Sequence, residues 1–564
     1  MNETTKAGAV QGAAAAGLKK HRMSTATVVF MVFSLVAAGC YGIEDMIPAA
    51  GPGLTLAMLM VLPFVWGMPF GLVAAELGSV RPQEGGYYKW VQEALGEFWG
   101  FQAGWWRTVS IYIDNALYVI LAGGYAATQW DMSAAQAFAL KAAMILIFMY
   151  INIRGVKDVG LVTNALSVFV IMAFAMIALI GFANWNHNPF DPFLAGSAET
   201  AADLVAYVGA GISIGMWMYS GYESMSTVAG ELEDPQVIPR ATLITVPLIM
   251  ATYIFPTMAS LASMGRWDEW GEDALGYADV AKTMLPGDIG AAAGVFFIIV
   301  AIVAQCSIYN TYIASGSRGF FALAEDRLAP PFLVKVDRRY GVPYVAVISI
   351  AVVNLILCNF AFEAVVVVDV FLLVASYIMV YISAIILRKR IPREEYKFRI
   401  PGSDKVLYVI CIVPICVAFI SFFINGADYF IGGMLGIITG PILYVIWKKM
   451  YGGLAAKPVP AASAGSAPAT LARLNPKTGL AQGDMSRMAL MFVILGGIGL
   501  FGRLFLPWYE GAEAAAYYAE EYAGGLFADW GAMLGAISAA TAVCIAAALA
   551  LRFIAIKVEN KNQK

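Results

Sequence analysis

The chain has 564 residues, of which 60% are hydrophobic and only 13% are charged, and its net charge is −3. Soluble domains carry about 25% charged residues, so this composition excludes an ordinary soluble protein. Apolar stretches of about 20 residues, the length that crosses a bilayer as a helix, recur along the sequence. The pattern predicts an all-α polytopic membrane protein. The basic residues are dispersed over loops, which gives no indication of nucleic-acid binding.

About fourteen spans are predicted, and they fall into five parts of the chain. An N-terminal tail (1–26) precedes the first ten spans (27–390), and spans eleven and twelve follow (391–451). Residues 452–485 are rich in Gly, Ala, Pro and Ser, which is typical of a flexible linker. The remaining part (486–564) contains two further spans and a C-terminal tail, here called the two-span appendix.

Basic residues predict the orientation in the membrane. Lys19, Lys20 and Arg22 precede the first span, and further Lys and Arg residues lie in every second loop after it. A loop predicted to lie on the opposite side is acidic, from Trp267 to Asp273. Because cytoplasmic loops carry the excess of basic residues, both termini are predicted to be cytoplasmic, in a protein of the cell membrane.

Two of the predicted spans are interrupted by polar residues and glycines. The first contains Glu44 and Asp45 within a segment from Tyr41 to Pro48, and the sixth contains Glu223 within a segment from Tyr219 to Ser224. A broken helix at membrane depth survives only where protein or a water-filled cavity satisfies its backbone. Paired breaks predict a transporter's binding site near the bilayer midplane. The predicted substrate-binding residues are Gly42, Ile43, Glu44, Asp45, Ser220, Tyr222 and Glu223.

Breaks in spans one and six, which enter from opposite sides, fit two five-span repeats of inverted topology. Acidic side chains at membrane depth are costly and normally functional. Glu44, Asp114 and Asp369 are therefore candidate proton-coupling residues. Two alternatives stay open: the acids at the breaks cap helix ends that face an aqueous vestibule, and Asp114 and Asp369 are structural partners of polar helix faces. Polar residues of span eight, from Gln305 to Ser315, line a pathway or form hydrogen bonds between helices.

Motifs for other chemistry are missing from the sequence. It contains no nucleotide-binding loop, catalytic elbow or metal motif, and its six cysteines have no metal-ligand spacing. Both histidines, His21 and His187, lie outside the apolar spans. The sequence therefore predicts a protein that is not an enzyme and has no cofactor or resident metal.

Short motifs occur in order along residues 25–450: Gly42–Asp45, Ala75–Leu77, Glu84–Tyr87, Phe98–Gln102, Ile113–Tyr118, Ala229–Glu231 and Glu233–Pro235. Together they resemble the amino acid–polyamine–organocation superfamily of permeases, and most closely the polyamine and amino acid uptake permeases of plants and protozoa. This resemblance implies the inverted five-plus-five fold of the leucine transporter. The two-span appendix lies outside it.

Two departures from the family pattern affect the expected mechanism. The plant-type relatives have an aspartate where this chain has Glu223, and a longer acid favours a smaller cation or moves the amine contact. Some bacterial relatives have a lysine in span five that replaces a sodium ion, but the segment Asn164–Val170 has none. Coupling through such a lysine is therefore not expected.

These observations predict a secondary transporter for a cationic amine, either a polyamine or a basic amino acid, driven by protons or by exchange. Sodium coupling stays open. The alternative within transport is a permease for neutral or acidic amino acids, in which the buried acids serve proton coupling. An alternative of another class is a non-transporting amine sensor. In either case the two-span appendix is available for contacts with a partner or a second copy of the chain.

Overall fold

The computed structural model describes residues 18–37, 39–198, 200–271, 276–360, 362–456, 480, 483–511, 514–522, 525 and 528–561. Within these residues the regular structure is helical throughout, apart from one isolated bridge between His21 and Leu232. This confirms the predicted all-α class.

The helices are numbered here in chain order. They are α1 (Thr25–Val36), α2 (Met46–Ala50), α3 (Pro52–Leu62), α4 (Met68–Val80), α5 (Gly86–Leu95), α6 (Glu97–Trp130), α7 (Ala134–Arg154), α8 (Val156–Ala183), α9 (Ala201–Met218), α10 (Val237–Met264), α11 (Tyr277–Met284), α12 (Gly287–Glu325), α13 (Tyr344–Leu357), α14 (Phe362–Arg390), α15 (Asp404–Ile424), α16 (Ala427–Tyr451), α17 (Asp484–Tyr509), α18 (Ala514–Glu521) and α19 (Trp530–Lys561). A π-helical turn, Pro63–Gly67, joins α3 to α4, and a 3₁₀ helix, Ser224–Glu231, follows α9.

Eleven helical stretches among the described residues are long and apolar enough to cross a membrane. The joined helices α3 and α4 count as one of them. Three shorter apolar helices, Thr25–Val36, Asp203–Met218 and Tyr344–Leu357, lie at the predicted positions of spans one, six and nine. The chain is therefore a multi-pass membrane protein, while the count of fourteen spans and the inverted repeat stay predictions.

Both predicted helix breaks are present. Helix α1 ends at Val36 and α2 begins at Met46, and Gly39 and Gly42 between them have φ angles of 105° and 97°. The second break follows α9, where Gly221 has a φ of 113°. A Cβ atom on Gly221 would lie 2.2 Å from the carbonyl oxygen of Leu35. Glycine is required there because the second break packs directly against the last turn of α1.

Helices α6, α12 and α14 surround the two breaks. Helix α6 packs along both α12 and α14, and α12 also contacts α1, α8 and the 3₁₀ helix. Three buried charged residues, Arg107, Asp114 and Asp369, lie on α6 and α14. The fold therefore places its charged interior beside the broken helices.

The two-span appendix is attached to the rest of the protein by a buried ionic cluster at one end. Lys448 Nζ of α16 lies 2.5 Å from Glu97 Oε1 of α6 and 2.9 Å from Asp484 Oδ2 of α17. The hydroxyl of Tyr444 lies 2.9 Å from the same Asp484 oxygen. Helices α17 and α19 pack together and against α16. Most of the predicted linker lies outside the described residues, and its flexibility stays a prediction.

Replacing Lys448 by Met should strongly destabilise the protein, because Glu97 would lose its cation and Asp484 would keep only the more exposed Arg487, at 3.2 Å. Breaking a buried ion pair from one side costs about 3–5 kcal/mol. Thermal unfolding of the purified protein in detergent measures the effect. Lys449→Met is the matched control, because Lys449 is exposed on the same turn. Equal unfolding temperatures for the two variants would contradict this role of Lys448.

Candidate functional site

A cavity lies between the two helix breaks and the helices around them. Its lining comes from the end of α1 and the first break, from α6, α9, α10, α12 and α14, and from the second break. The residues are Leu35, Val36, Ala37, Gly39, Tyr41, Asp114, Tyr118, Trp217, Met218, Ser220, Tyr253, Gln305, Ile308, Tyr312 and Leu373. Among these described residues Asp114 is the one charged side chain, and five of the others are aromatic.

Tyr253 holds the two breaks together at this cavity. Its hydroxyl lies 3.0 Å from the carbonyl oxygen of Val36, which ends α1, and 3.0 Å from that of Met218, which ends α9. The last carbonyls of a helix have no partner within the helix and need a donor from elsewhere. The single hydroxyl hydrogen of Tyr253 on α10 is therefore shared between the two broken ends.

Asp114 lies on α6 with its carboxylate among aromatic rings. It is 1% exposed, and Trp217 Nε1 donates a long hydrogen bond of 3.4 Å to its Oδ1. The Tyr118 ring stacks on Trp217 and on Tyr312, with centroid distances of 6.2 and 5.8 Å. Aromatic faces and a carboxylate are the groups that attract an organic cation.

Arg107 lies on α6, about two helical turns before Asp114, and forms an ion pair with Glu223. Its Nε lies 2.5 Å from Glu223 Oε1, and both side chains are essentially fully buried. Its terminal nitrogens donate to Ser110 Oγ at 3.0 Å and to Ser224 Oγ at 3.1 Å. The guanidinium carbon lies 5.7 Å from the centre of the Tyr312 ring. Arg107 thus joins α6 to the second break.

The other oxygen of Glu223 is also engaged. Tyr377 on α14 donates to Glu223 Oε2 at 2.7 Å, and the same hydroxyl accepts a hydrogen bond from the Gly221 amide at 2.8 Å. Both carboxylate oxygens are therefore held by groups of the protein. Direct contact of Glu223 with substrate stays a prediction, and its observed partners are a guanidinium and a phenol.

Asp369 lies on α14, one turn before the cavity residue Leu373. It is fully buried, and neither of its carboxylate oxygens has a partner at full hydrogen-bonding distance within the described part of the chain. The Ser110 hydroxyl of α6 is the side-chain donor that acts on it, and its charged neighbours include Asp114 and Arg107. A buried carboxylate with so few donors is costly in its ionised form. The arrangement suits a carboxyl group that carries a proton, and this role stays a prediction.

The remaining predicted residues of the first break lie outside the cavity lining. Glu44 Oε2 accepts a hydrogen bond of 2.8 Å from the amide of Gly42, so that this carboxylate caps the broken backbone. A Cβ on Gly276, next to α11, would lie 3.6 Å from the Glu44 side chain. Ile43 is fully buried, and Asp45 directly precedes α2. Roles of these residues in binding or coupling stay predictions.

Of the predicted residues of the second break, Ser220 lines the cavity and Tyr222 does not. Ser220 Oγ donates to the Met216 carbonyl at 2.6 Å and accepts from Trp66 Nε1 at 3.1 Å. Tyr222 is 1% exposed and faces α4, since a Cβ on Gly71 would lie 3.6 Å from its ring. The predicted residues are thus divided between the cavity and the packing around it.

Some polar residues of α12 line the cavity, and others form hydrogen bonds to neighbouring helices. Gln305 and Tyr312 line the cavity. Ser307 and Thr311 lie within 2.8 and 3.2 Å of the Ser34 hydroxyl on α1. These hydroxyl contacts join the first broken helix to α12 beside the cavity.

Several residues at this site were not predicted from the sequence, among them Arg107, Tyr253 and Tyr377. Arg107 gave a signal, because a basic residue inside an apolar stretch needs an acidic partner. The two tyrosines gave none, because the carbonyl and amide groups that they contact come from other helices. No group of three or more His, Cys, Asp or Glu side chains that could hold a metal occurs among the described residues.

The fold and the cavity at paired helix breaks define a membrane transporter. The sequence matches the amino acid permease family across residues 23–446, and the chain belongs to that family. Family membership confirms the prediction of a transporter rather than an enzyme. It also confirms the resemblance noted from the short motifs.

Named relatives come from plants and bacteria. A probable polyamine transporter of Arabidopsis thaliana is 30% identical over 77% of this chain and 86% of its own length. The polyamine transporter PUT1 of Oryza sativa subsp. japonica is 28% identical over 76% of this chain and 80% of its own length. The serine/threonine exchanger SteT of Bacillus subtilis is 26% identical over 77% of this chain and 98% of its own length.

The fold is also similar to a solved transporter structure. The crystal structure of MhsT in complex with L-phenylalanine superposes with a TM-score of 0.56 over 72% of this chain and 99% of that chain, at 14% identity. At this identity the likeness concerns the fold alone. The match does not extend over the whole chain, and neither does the family match, which stops at residue 446.

Proposed function

We propose that this protein is a secondary transporter of a cationic amine, and that Asp114 binds the ammonium group of the substrate. The observation that carries the proposal is the lining of the cavity, with one carboxylate, several aromatic rings and no basic side chain among its described residues. An ammonium group there would gain a charge-assisted hydrogen bond and cation–π contacts. A free carboxylate would face Asp114 without a cation to balance it.

The charges around the cavity support the same conclusion. Among the described buried residues at and next to the cavity, Asp114, Asp369 and Glu223 are acidic, and Arg107 is basic. One guanidinium balances one carboxylate, and Glu223 is its direct partner. The two others require protons or an added cation, because isolated buried charges are too costly. We propose that the two cations alternate: a proton on Asp369 supplies the positive charge when substrate is absent, and the substrate ammonium at Asp114 supplies it when substrate is bound.

This assignment gives a coupling by protons or by exchange. A substrate cation beside Asp114 disfavours a proton on the neighbouring carboxyl group and favours its release. Ordinary exchange follows if a second amine replaces the first without proton movement. The basic loops support a cell-membrane protein with both termini in the cytoplasm. The names of the plant relatives support an amine without a carboxylate, while SteT supports an amino acid.

Uptake into proteoliposomes tests the proposal. We expect labelled diamine to accumulate in sodium-free vesicles with an acidic interior, because a proton leaves as the amine enters, and excess unlabelled diamine or basic amino acid to reduce the signal. Excess glutamate should leave it unchanged, because a second carboxylate would meet Asp114. Competition by glutamate or serine, but by no diamine, would favour the amino acid alternative. Amine binding without any flux would favour a sensor.

A further inference from the structure

A second buried Glu–Arg pair lies at the far end of the 3₁₀ helix Ser224–Glu231. Glu223, which directly precedes this helix, pairs with Arg107, and Glu231, its last residue, pairs with Arg318 of α12 at 2.6 Å. Both members of the second pair are fully buried. Runs of 3₁₀ helix longer than three or four residues are uncommon and often mark a hinge. This one has eight residues and an ion pair at each end.

Glu84 adds a second carboxylate to the pair formed by Glu231 and Arg318. Its Oε2 accepts a hydrogen bond of 3.0 Å from the amide of Gly230. The group formed by Glu84, Glu231 and Arg318 is called the inner cluster here. Within the described residues, Glu84 Oε1, Glu231 Oε2 and Arg318 Nη2 are shielded from solvent and have no hydrogen-bond partner. Two carboxylates and one guanidinium leave one negative charge and two acceptor oxygens unsatisfied.

The N-terminal segment contacts the backbone on both sides of Leu232, next to the inner cluster. The His21 amide donates to the Glu231 carbonyl at 2.8 Å, and the Glu233 amide donates to the His21 carbonyl at 3.0 Å. Lys19 Nζ donates to the Arg339 carbonyl at 2.6 Å in the loop before α13. The segment before span one therefore packs over the end of the 3₁₀ helix, beside the inner cluster.

We propose that the inner cluster is a proton-binding site, with the proton held on Glu84, and that its occupancy keeps the cytoplasmic end of the transporter closed. The proposal rests on the proposed function for the orientation of the chain and for transport itself. A proton on Glu84 removes the excess negative charge and supplies a donor for an unpartnered oxygen. Opening hydrates the carboxyl group, which then releases the proton to the cytoplasm.

The electrostatic surroundings of Glu84 agree with this assignment. Burial, followed by the nearby Glu231, raises the pKa of Glu84 well above its ordinary value, and Arg318 and the Gly230 amide oppose the shift. Glu325, at the end of α12, adds a smaller upward effect on this pKa. The neighbouring cation Lys89 of α5 is held by Asp326. His21 contacts the cluster through its backbone.

The sign of the pH effect follows from the raised pKa. The closed form binds the proton more tightly than the open, hydrated form, so protonation stabilises the closed form at low pH. This stabilisation is lost as the pH rises through the pKa of the closed form. A falling cytoplasmic pH should therefore slow opening, and a single titrating proton can change the equilibrium by at most about tenfold per pH unit.

Equilibrium exchange of labelled diamine, with equal pH and equal diamine on both sides of a vesicle, tests the proposal without a driving gradient. We expect the wild-type exchange rate to fall at least about threefold per pH unit below the titration midpoint of Glu84. Glu84→Gln, which mimics the protonated group, should exchange at the slow rate at every pH. Glu84→Asp keeps a titrating group and should keep the pH dependence.

Glu325→Gln is the matched control, because it removes an exposed carboxylate from the same region; it should keep the pH dependence of wild type, with its midpoint moved slightly to lower pH because Glu325 raises the pKa of Glu84. Infrared spectroscopy adds a direct readout without substrate. The carbonyl band of a protonated carboxylic acid should be present in wild type and in Glu325→Gln and be reduced in Glu84→Gln. A Glu84→Gln protein with an unchanged band, or with the pH profile of wild type, would overturn the proposal.

Failure of this proposal is distinguishable from failure of the proposed function. If the protein binds and exchanges no amine, the proposed function is wrong, while the infrared band still reports the proton on Glu84. If amine exchange is measured but does not respond to the Glu84 substitutions, the proton site alone is wrong.

Discussion

Replacing Asp114 by Asn should reduce the uptake of a cationic amine by a factor of about ten to a hundred. The substitution keeps the size of the side chain but removes its charge, and a hydrogen bond between charged groups contributes about 1.5–3 kcal/mol. We expect the loss to appear mainly in the apparent affinity, because Asp114 is the residue that we propose binds the ammonium group. Initial uptake rates over a range of diamine concentrations give this quantity.

Two further variants define the role of Asp114. Asp114→Glu keeps the charge and should retain part of the activity. Asp279→Asn removes a carboxylate from the short helix α11, which connects α10 to α12. Asp279 does not line the cavity, so this variant should transport as wild type. If Asp114→Asn transported diamine with unchanged apparent affinity, the ammonium group would have to bind elsewhere.

The second large effect concerns the ion pair between Arg107 and Glu223. Arg107→Gln should destabilise the protein by about 3–5 kcal/mol, because it leaves Glu223 buried without its cation. The double variant Arg107→Gln/Glu223→Gln removes both charges and should recover most of the lost stability. Thermal unfolding in detergent of the wild type, of Arg107→Gln, of Glu223→Gln and of the double variant gives the values that a double-mutant cycle requires.

The same cycle separates a positioning role of Glu223 from direct substrate contact. If Glu223 acts through Arg107, the double variant should regain both thermal stability and measurable amine binding. If Glu223 contacts the amine itself, stability should return while amine binding stays lost. Additive effects of the two substitutions on stability would contradict the importance of the ion pair.

The positions of the two helix breaks could be predicted because their cause is local. Glycines and carboxylates inside apolar stretches, as at Gly42 and Glu44 or at Gly221 and Glu223, conflict with a continuous lipid-facing helix. The sequence alone therefore indicated where the site lies along the chain. The all-α class followed from composition in the same way.

The partners of the site residues could not be predicted, because they depend on packing between distant segments. Glu223 pairs with Arg107, which is 116 residues away in sequence, and with Tyr377, which is 154 residues away. Glu44 turns to the local amide of Gly42. Asp114 lines the cavity because of the rotation of α6, which the apolar pattern of a mostly buried helix does not specify.

An experimental structure with a bound diamine tests the central claim most directly. The account predicts an ammonium nitrogen about 2.7–2.9 Å from a carboxylate oxygen of Asp114, with the Trp217 and Tyr312 rings beside the alkyl chain. Arg107 and Glu223 should remain paired in that complex. A diamine whose nitrogen lies on Glu223 or Glu44, with Asp114 free of contact, would contradict the account.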